Sequence, residues 1–142
     1  MTEETLVIGV TMGDPAGIGA EITTALLAER CNDKTIRPVL IGCAAMIEAT
    51  ARRRGLDVKI RRHRTLDRTA LNAGGIDVYD PGTFDATVVK TGEVSRDAGE
   101  ASMLYNRQGA ELAMADKIDG LVTSPVTKAS AKMAGYDYPG QA

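Results

Sequence analysis

The chain has 142 residues, enough for one domain with a packed core, and 44% hydrophobic and 25% charged residues place it among ordinary globular proteins. A formal net charge of −2 excludes a general affinity for nucleic acid or an anionic membrane, and one Phe with no Trp offers no base-stacking surface. Two cysteines, Cys31 and Cys43, make no CxxC pair or disulfide framework, and no apolar run nears the ~18 residues of a membrane span, so a reduced, cytoplasmic setting without a signal peptide is expected.

The run Leu6-Val7-Ile8-Gly9-Val10 predicts a first strand over 5–11, apolar enough to be buried on both faces. A glycine-rich loop follows, and Ile18, Ile22, Ala25 and Leu26 at helical spacing predict a helix over 17–30. After the turn Asn32-Asp33-Lys34 come a strand over 37–41, a helix over 44–54 capped by Gly55, and a short strand over 57–60. Strand, helix, strand, helix, strand is the order of a parallel sheet with crossover helices. The basic run Arg52-Arg53-Arg54, continued by Arg61-Arg62-His63-Arg64, reads as a solvated surface in preference to a polyanion site, and residues 61–97 read as a loop-rich insertion within one fold. Within that insertion Ile76-Asp77-Val78-Tyr79 reads as a short strand ended by Asp80-Pro81-Gly82, and 86–90 as another extended segment. Ser95 is placed to cap a helix over 96–115, whose many small residues predict close packing on a neighbour. A buried strand over 119–123, the loop Ser124-Pro125-Val126-Thr127-Lys128 and a short helix over 127–133 complete the reading.

Two loops carry chemical potential. In the first, Gly13, Gly17 and Gly19 permit positive φ and close approach of a ligand, and the following helix offers unpaired N–H groups. Asp14 would repel a phosphate. It suits hydrogen bonds from a ribose or an amide, or it caps the helix, and spacing alone leaves both open. The spacing matches neither GxGxxG nor GxxxxGK[ST]. In the second loop, Lys128 can reach across strand ends toward an anionic group, while Thr127 can serve simply as a helix cap. His63 is the single histidine, so a metal site of usual composition cannot be assembled, and no Ser–His–Asp arrangement exists.

Gly13-Asp14-Pro15-Ala16-Gly17-Ile18-Gly19 with Glu21, and Val122-Thr123-Ser124-Pro125-Val126-Thr127-Lys128, resemble two signatures of the 4-hydroxythreonine-4-phosphate dehydrogenase family. Gly92-Glu93-Val94-Ser95 and the closing Gly135-Tyr136 with Pro139-Gly140 fit the same pattern. The resemblance runs over essentially the whole chain. It implies an α/β fold similar to isocitrate and isopropylmalate dehydrogenases: a parallel or mixed sheet with helices on both faces, here incomplete. Residues 1–142 would be the N-terminal portion of a two-domain, homodimeric dehydrogenase linked to pyridoxine biosynthesis. It also implies an NAD (or NADP) cofactor, a divalent metal whose ligands lie downstream of this sequence, and oxidation followed by decarboxylation of a small phosphorylated or acidic substrate such as 4-hydroxythreonine 4-phosphate.

On that resemblance Gly13, Asp14, Gly17 and Gly19 border the cofactor, and Lys128, Gln141 and Ala142 border the substrate, with no metal ligand and no complete catalytic set in this chain. The sequence departs from the family pattern at Ala20, where a proline is usual, and at Thr127, where Asn or His precedes the lysine. It departs again where Gly140-Gln141-Ala142 stands for Gly-His-Thr. Turnover by these residues alone is not expected. The alternative from another class is a non-catalytic binding or assembly module whose sheet is completed by another chain.

Overall fold

The structure, a computed structural model, describes residues 5–82, 84–85 and 88–137. Five parallel strands, β1 (Leu6–Thr11), β2 (Ile36–Ile41), β3 (Lys59–His63), β4 (Gly75–Tyr79) and β5 (Gly120–Val122), form one sheet in the order β3-β4-β2-β1-β5. Among the described residues four α-helices connect or follow them: α1 (Gly19–Arg30), α2 (Ala44–Arg53), α3 (Arg96–Met114) and α4 (Lys128–Met133). A single 3-10 turn at Arg68–Ala70 lies between β3 and β4.

Right-handed crossovers decide which face each helix covers. The steps β1-α1-β2 and β2-α2-β3 travel one way across the sheet, so α1 and α2 share a face. The step β4-α3-β5 travels back, so α3 takes the opposite face. The packing agrees: α1 lies against α2, and α3 against α4. Alternate residues of β1 divide between the layers. A side chain at Gly9 would meet Ile118 and Leu121, and one at Gly109 of α3 would meet Leu121 and Ile41, which puts Gly9, Ile41 and Leu121 on the α3 side. Met12, Leu27, Leu40, Ile41, Ile47, Leu71, Ile76, Val7, Val39 and Val78 are the largest apolar side chains fully buried in the resulting core. That both faces of the parallel strands are apolar is the condition under which a sheet of this kind is stable.

Helix α3 owes its close packing to its small residues. Ser95 caps it, its hydroxyl accepting the N–H of Ala98 at 3.1 Å. A Cβ added at Gly99 would fall 1.9 Å from the carbonyl oxygen of Ser130, so the backbones of α3 and α4 meet there without a side chain between them.

Three readings change. Residues 75–79 are an interior strand, between β3 and β2, rather than part of an insertion. Strand β3 runs on to His63, because Arg61 and His63 find a partner in the next strand. Asp77 is 1% exposed and accepts from Arg61 Nε at 2.8 Å, with His63 Nε2 also 2.8 Å away, so these two residues are not the solvated surface that a basic run suggests. Helix α1 begins at Gly19, two residues later than periodicity indicates, since the glycine loop stays non-helical through Ile18. The extended segment expected at 86–90 falls partly outside the described residues, and 88–90 form no strand.

Candidate functional site

Adjacent strands β1 and β5 end side by side, but the chain leaves them in opposite directions: β1 leads to α1 on one face, β5 to α4 against α3 on the other. A crevice opens where neighbouring strands diverge in this way, at the carboxyl edge of the sheet. Both loops singled out in the sequence flank that point.

They are tied to each other. Ser124 donates its N–H to Thr11 Oγ1 at 3.0 Å, and Asp14 donates its N–H to the Pro125 carbonyl at 3.1 Å. Gly13 has φ +77°, and a Cβ there would lie 2.6 Å from the Pro125 oxygen; a Cβ at Gly19 would lie 2.1 Å from the Met12 oxygen. Both positions require glycine because the chain's own backbone occupies the space. Gly17 differs: it is exposed, and a Cβ there would make only ordinary contacts with Asp14.

Asp14 is 3% exposed. Its carboxylate accepts the N–H of Ala16 at 2.8 Å, and its carbonyl accepts the N–H of Gly17 at 3.0 Å, so it folds the loop into a turn. It does not cap α1, whose N-cap position is Ile18 and which has no side-chain cap. Of the four residues placed near a cofactor by resemblance, then, Gly17 is open, and Gly13, Asp14 and Gly19 act from beneath by setting the loop's shape. A third segment joins them: Gly92, at φ +82°, donates its N–H to the Ala16 carbonyl at 2.7 Å.

On the other side Lys128 is the first residue of α4, exposed, following Thr127, whose hydroxyl makes no capping bond. The position of α4 is set by α3. Ser130, fully buried, accepts the N–H of Ser95 at 3.1 Å, beside the backbone contact at Gly99. Gln141 and Ala142, the remaining substrate-side positions, lie outside the described residues.

Sequence reasoning missed the part played by Asp80. Its carboxylate accepts the N–H of Ala44 at 2.9 Å and of Gly82 at 2.9 Å, capping α2 from the end of β4. Asp-Pro-Gly after a strand signals a turn, but not the helix it serves. Nearby, burial pushes the Tyr105 phenol well above its ordinary range, and its hydroxyl has no hydrogen-bond partner among the described residues.

No three or more His, Cys, Asp and Glu side chains among the described residues are grouped to hold a metal ion, and His63 is committed to Asp77. The described residues therefore do not fit a metal centre. No helix among the described residues is long and apolar enough to cross a membrane.

A sequence model of the family described as "Pyridoxal phosphate biosynthetic protein PdxA" matches residues 34–142. A curated relative from Halalkalibacterium halodurans, named "Putative D-threonate 4-phosphate dehydrogenase", is 37% identical over 134 residues, 94% of this chain and 40% of the relative. The crystal structure of a 4-hydroxythreonine-4-phosphate dehydrogenase from Burkholderia phymatum superposes with a TM-score of 0.86 at 36% identity, covering 96% of this chain and 41% of that one. For the Klebsiella pneumoniae 4-hydroxythreonine-4-phosphate dehydrogenase the TM-score is 0.79 at 31% identity, with 95% and 41% covered. The chain thus spans about 40% of the length of the curated relatives it matches.

Proposed function

The chain belongs to the PdxA family, and from that premise we propose that it supplies one wall of the active-site cleft of an NAD-dependent dehydrogenase acting on a small phosphorylated hydroxy acid. The observation that carries the reading is the tie between the β1 and β5 loops at the divergence of their strands. It brings Gly17, the uncapped start of α1 and Lys128 to one edge of the sheet. The names of the relatives supply the substrate class, 4-hydroxythreonine 4-phosphate or D-threonate 4-phosphate.

Each residue then has a stated task. Lys128 meets an anionic group of the substrate as a point charge, with α3 holding α4 in place. Gly17 and Ile18 form the surface on the cofactor side. Gly13, Asp14 and Gly19 fix that surface's shape. These residues would border NAD, which when bound would supply the acceptor for a hydride from the substrate alcohol. The metal expected in the family is held by residues other than these, because nothing described here fits it.

The reading is tested with a chimera in which this chain replaces the matched part of the Halalkalibacterium halodurans relative, assayed by NADH absorbance with D-threonate 4-phosphate and a divalent cation. The chimera should turn over, and Lys128→Ala should raise its KM about tenfold or more, as loss of a charged contact does. The 142-residue chain alone should give a flat trace. A KM indifferent to Lys128→Ala would remove that residue from the substrate wall, and turnover by the chain alone would show that its own residues suffice for catalysis.

A further inference from the structure

The loop before α1 and the start of α4 are hydrogen-bonded together at the ends of β1 and β5, and they are joined again, by a separate route, through the segment Gly92–Ser95. At one end of that segment Gly92 donates its N–H to the Ala16 carbonyl at 2.7 Å. At the other end Ser95 donates its N–H to Ser130 Oγ at 3.1 Å. The three residues between these two donor nitrogens reach at most about 11 Å, so the segment is a short leash. Capping α3 uses the Ser95 hydroxyl and leaves its N–H for Ser130, so the link to α4 is distinct from the cap.

Each end grips beside a residue that has a proposed task. Ala16 is buried, its N–H is held by the Asp14 carboxylate and its carbonyl by Gly92, and the next residue is the open Gly17. Ser130 is fully buried and stands two residues after Lys128 in α4, a helix of six residues. A helix that short has little stability of its own, so its place depends on what it is tied to. The shape of the segment rests on Gly92. Glu93 donates its N–H to the Lys90 carbonyl at 3.3 Å, closing a turn in which Gly92, at φ +82°, holds the third position. Positive φ there is what a type II turn requires, and it favours glycine. A Cβ at Gly92 would meet nothing within 4 Å, so backbone conformation sets this position, whereas crowding sets Gly13 and Gly19.

We infer that Gly92–Ser95 is a clasp, with Gly92 and Ser130 as its positioning residues, that holds the cofactor-side loop and the substrate-side helix in one fixed relation. Gly17 and Lys128 then present their ligands to each other in register. The inference rests on the dehydrogenase reading above and adds to it how the two ligand surfaces are kept together. Because both ends share one short segment, a change in its turn is felt at both: the Ala16 carbonyl loses its donor, and the Ser95 N–H is drawn off Ser130.

The test compares Gly92→Val with Gly92→Asn, two side chains that both enter open space; asparagine tolerates positive φ and valine does not. In the 142-residue chain, Gly92→Val should quicken hydrogen exchange roughly fivefold or more at Ala16 and Gly17 and equally at Ala131 and Ala134, while Gly92→Asn stays near wild type. Ser130→Ala, which cuts the clasp at its far end, should also quicken Ala16 and Gly17, and it decides the matter should Gly92→Val fail to fold. In the chimera with the Halalkalibacterium halodurans relative, Gly92→Val should raise the KM for NAD and the KM for D-threonate 4-phosphate, roughly threefold or more each, with kcat held within about a factor of two. Gly92→Asn should restore both. Quickened exchange on one side alone would overturn the inference, as would like behaviour of the Val and Asn variants or a rise in one KM only. A chimera without turnover would sink the dehydrogenase reading, and the exchange pattern would then decide by itself whether the clasp exists.

Discussion

Thr11 and Ser124 are 113 positions apart, yet the hydroxyl of one accepts the backbone N–H of the other at 3.0 Å in a buried setting. This bond closes the gap between the ends of β1 and β5, and the two loops that carry the family signatures start from it.

Thr11→Val keeps the shape and removes the acceptor. The Ser124 N–H would then be buried without a partner, at a cost of about 1–3 kcal/mol. Thr11→Ser should recover most of that. Urea denaturation of the three proteins measures the difference, and equal midpoints for Val and Thr would show that water replaces the bond.

Gly99→Ala places a methyl where the Ser130 carbonyl already sits. The helices must part, so a loss of roughly 1–3 kcal/mol is expected from overpacking. Hydrogen exchange should locate the loss in α4. An alanine variant as stable as the parent would mean that α4 can slide along α3 at no cost.

Asp77 sits nearly enclosed between Arg61 and His63 on the neighbouring strand. Asp77→Leu leaves Arg61 partly buried without its counter-charge, and about 3 kcal/mol of stability should go. Adding Arg61→Met to it should return part of that loss. A double-mutant cycle with no coupling would show that the pair is accidental.

Acid sensitivity should come in part from Asp119. Bidentate bonding to Arg68, helped by the Val7 N–H, holds its carboxyl down at about 2. In the unfolded chain an aspartate titrates near ~3.9. The folded value is the lower one, so the contribution is complete above pH ~4 and is lost as pH falls toward 2. Arg68→Met should flatten the stability profile between those limits, read from denaturation midpoints at pH 5 and 2.5. An unchanged slope would assign the acid limb to other carboxylates, of which Asp33 and Asp67, both lowered by threonine hydrogen bonds, are the next candidates.

Periodicity and turn chemistry located the strands and helices because most of them obey local rules. Ser95 with Ala98, Gly55 at φ +66° and the small residues of α3 all do what their types suggest. What the sequence hid depends on strand order. A basic run cannot announce that its alternate members, Arg61 and His63, meet a buried acid sixteen and fourteen residues on. Asp80 looks like a turn residue until β4 is seen to end beside the start of α2. Asp14 was open between ligand and helix cap. The loop's own hydrogen bonds rule out the cap, while Gly13 and Gly19 prove to be required by neighbouring backbone. Family resemblance singled out two loops that lie at one edge of the sheet; the contacts between them required coordinates.

The interior position of β4 has a consequence for how the chain is made. Strands β2 and β3 are joined by α2 but never touch, because β4, which is synthesised later, lies between them. A nascent chain that has emerged only as far as His63 holds β1 paired with β2 and a β3 segment with no strand beside it, and Asp77 arrives with the strand that joins them. Ribosome-bound intermediates halted before residue 75 should therefore be protease-sensitive throughout β3, and those halted beyond residue 79, once those residues clear the exit tunnel, should resist.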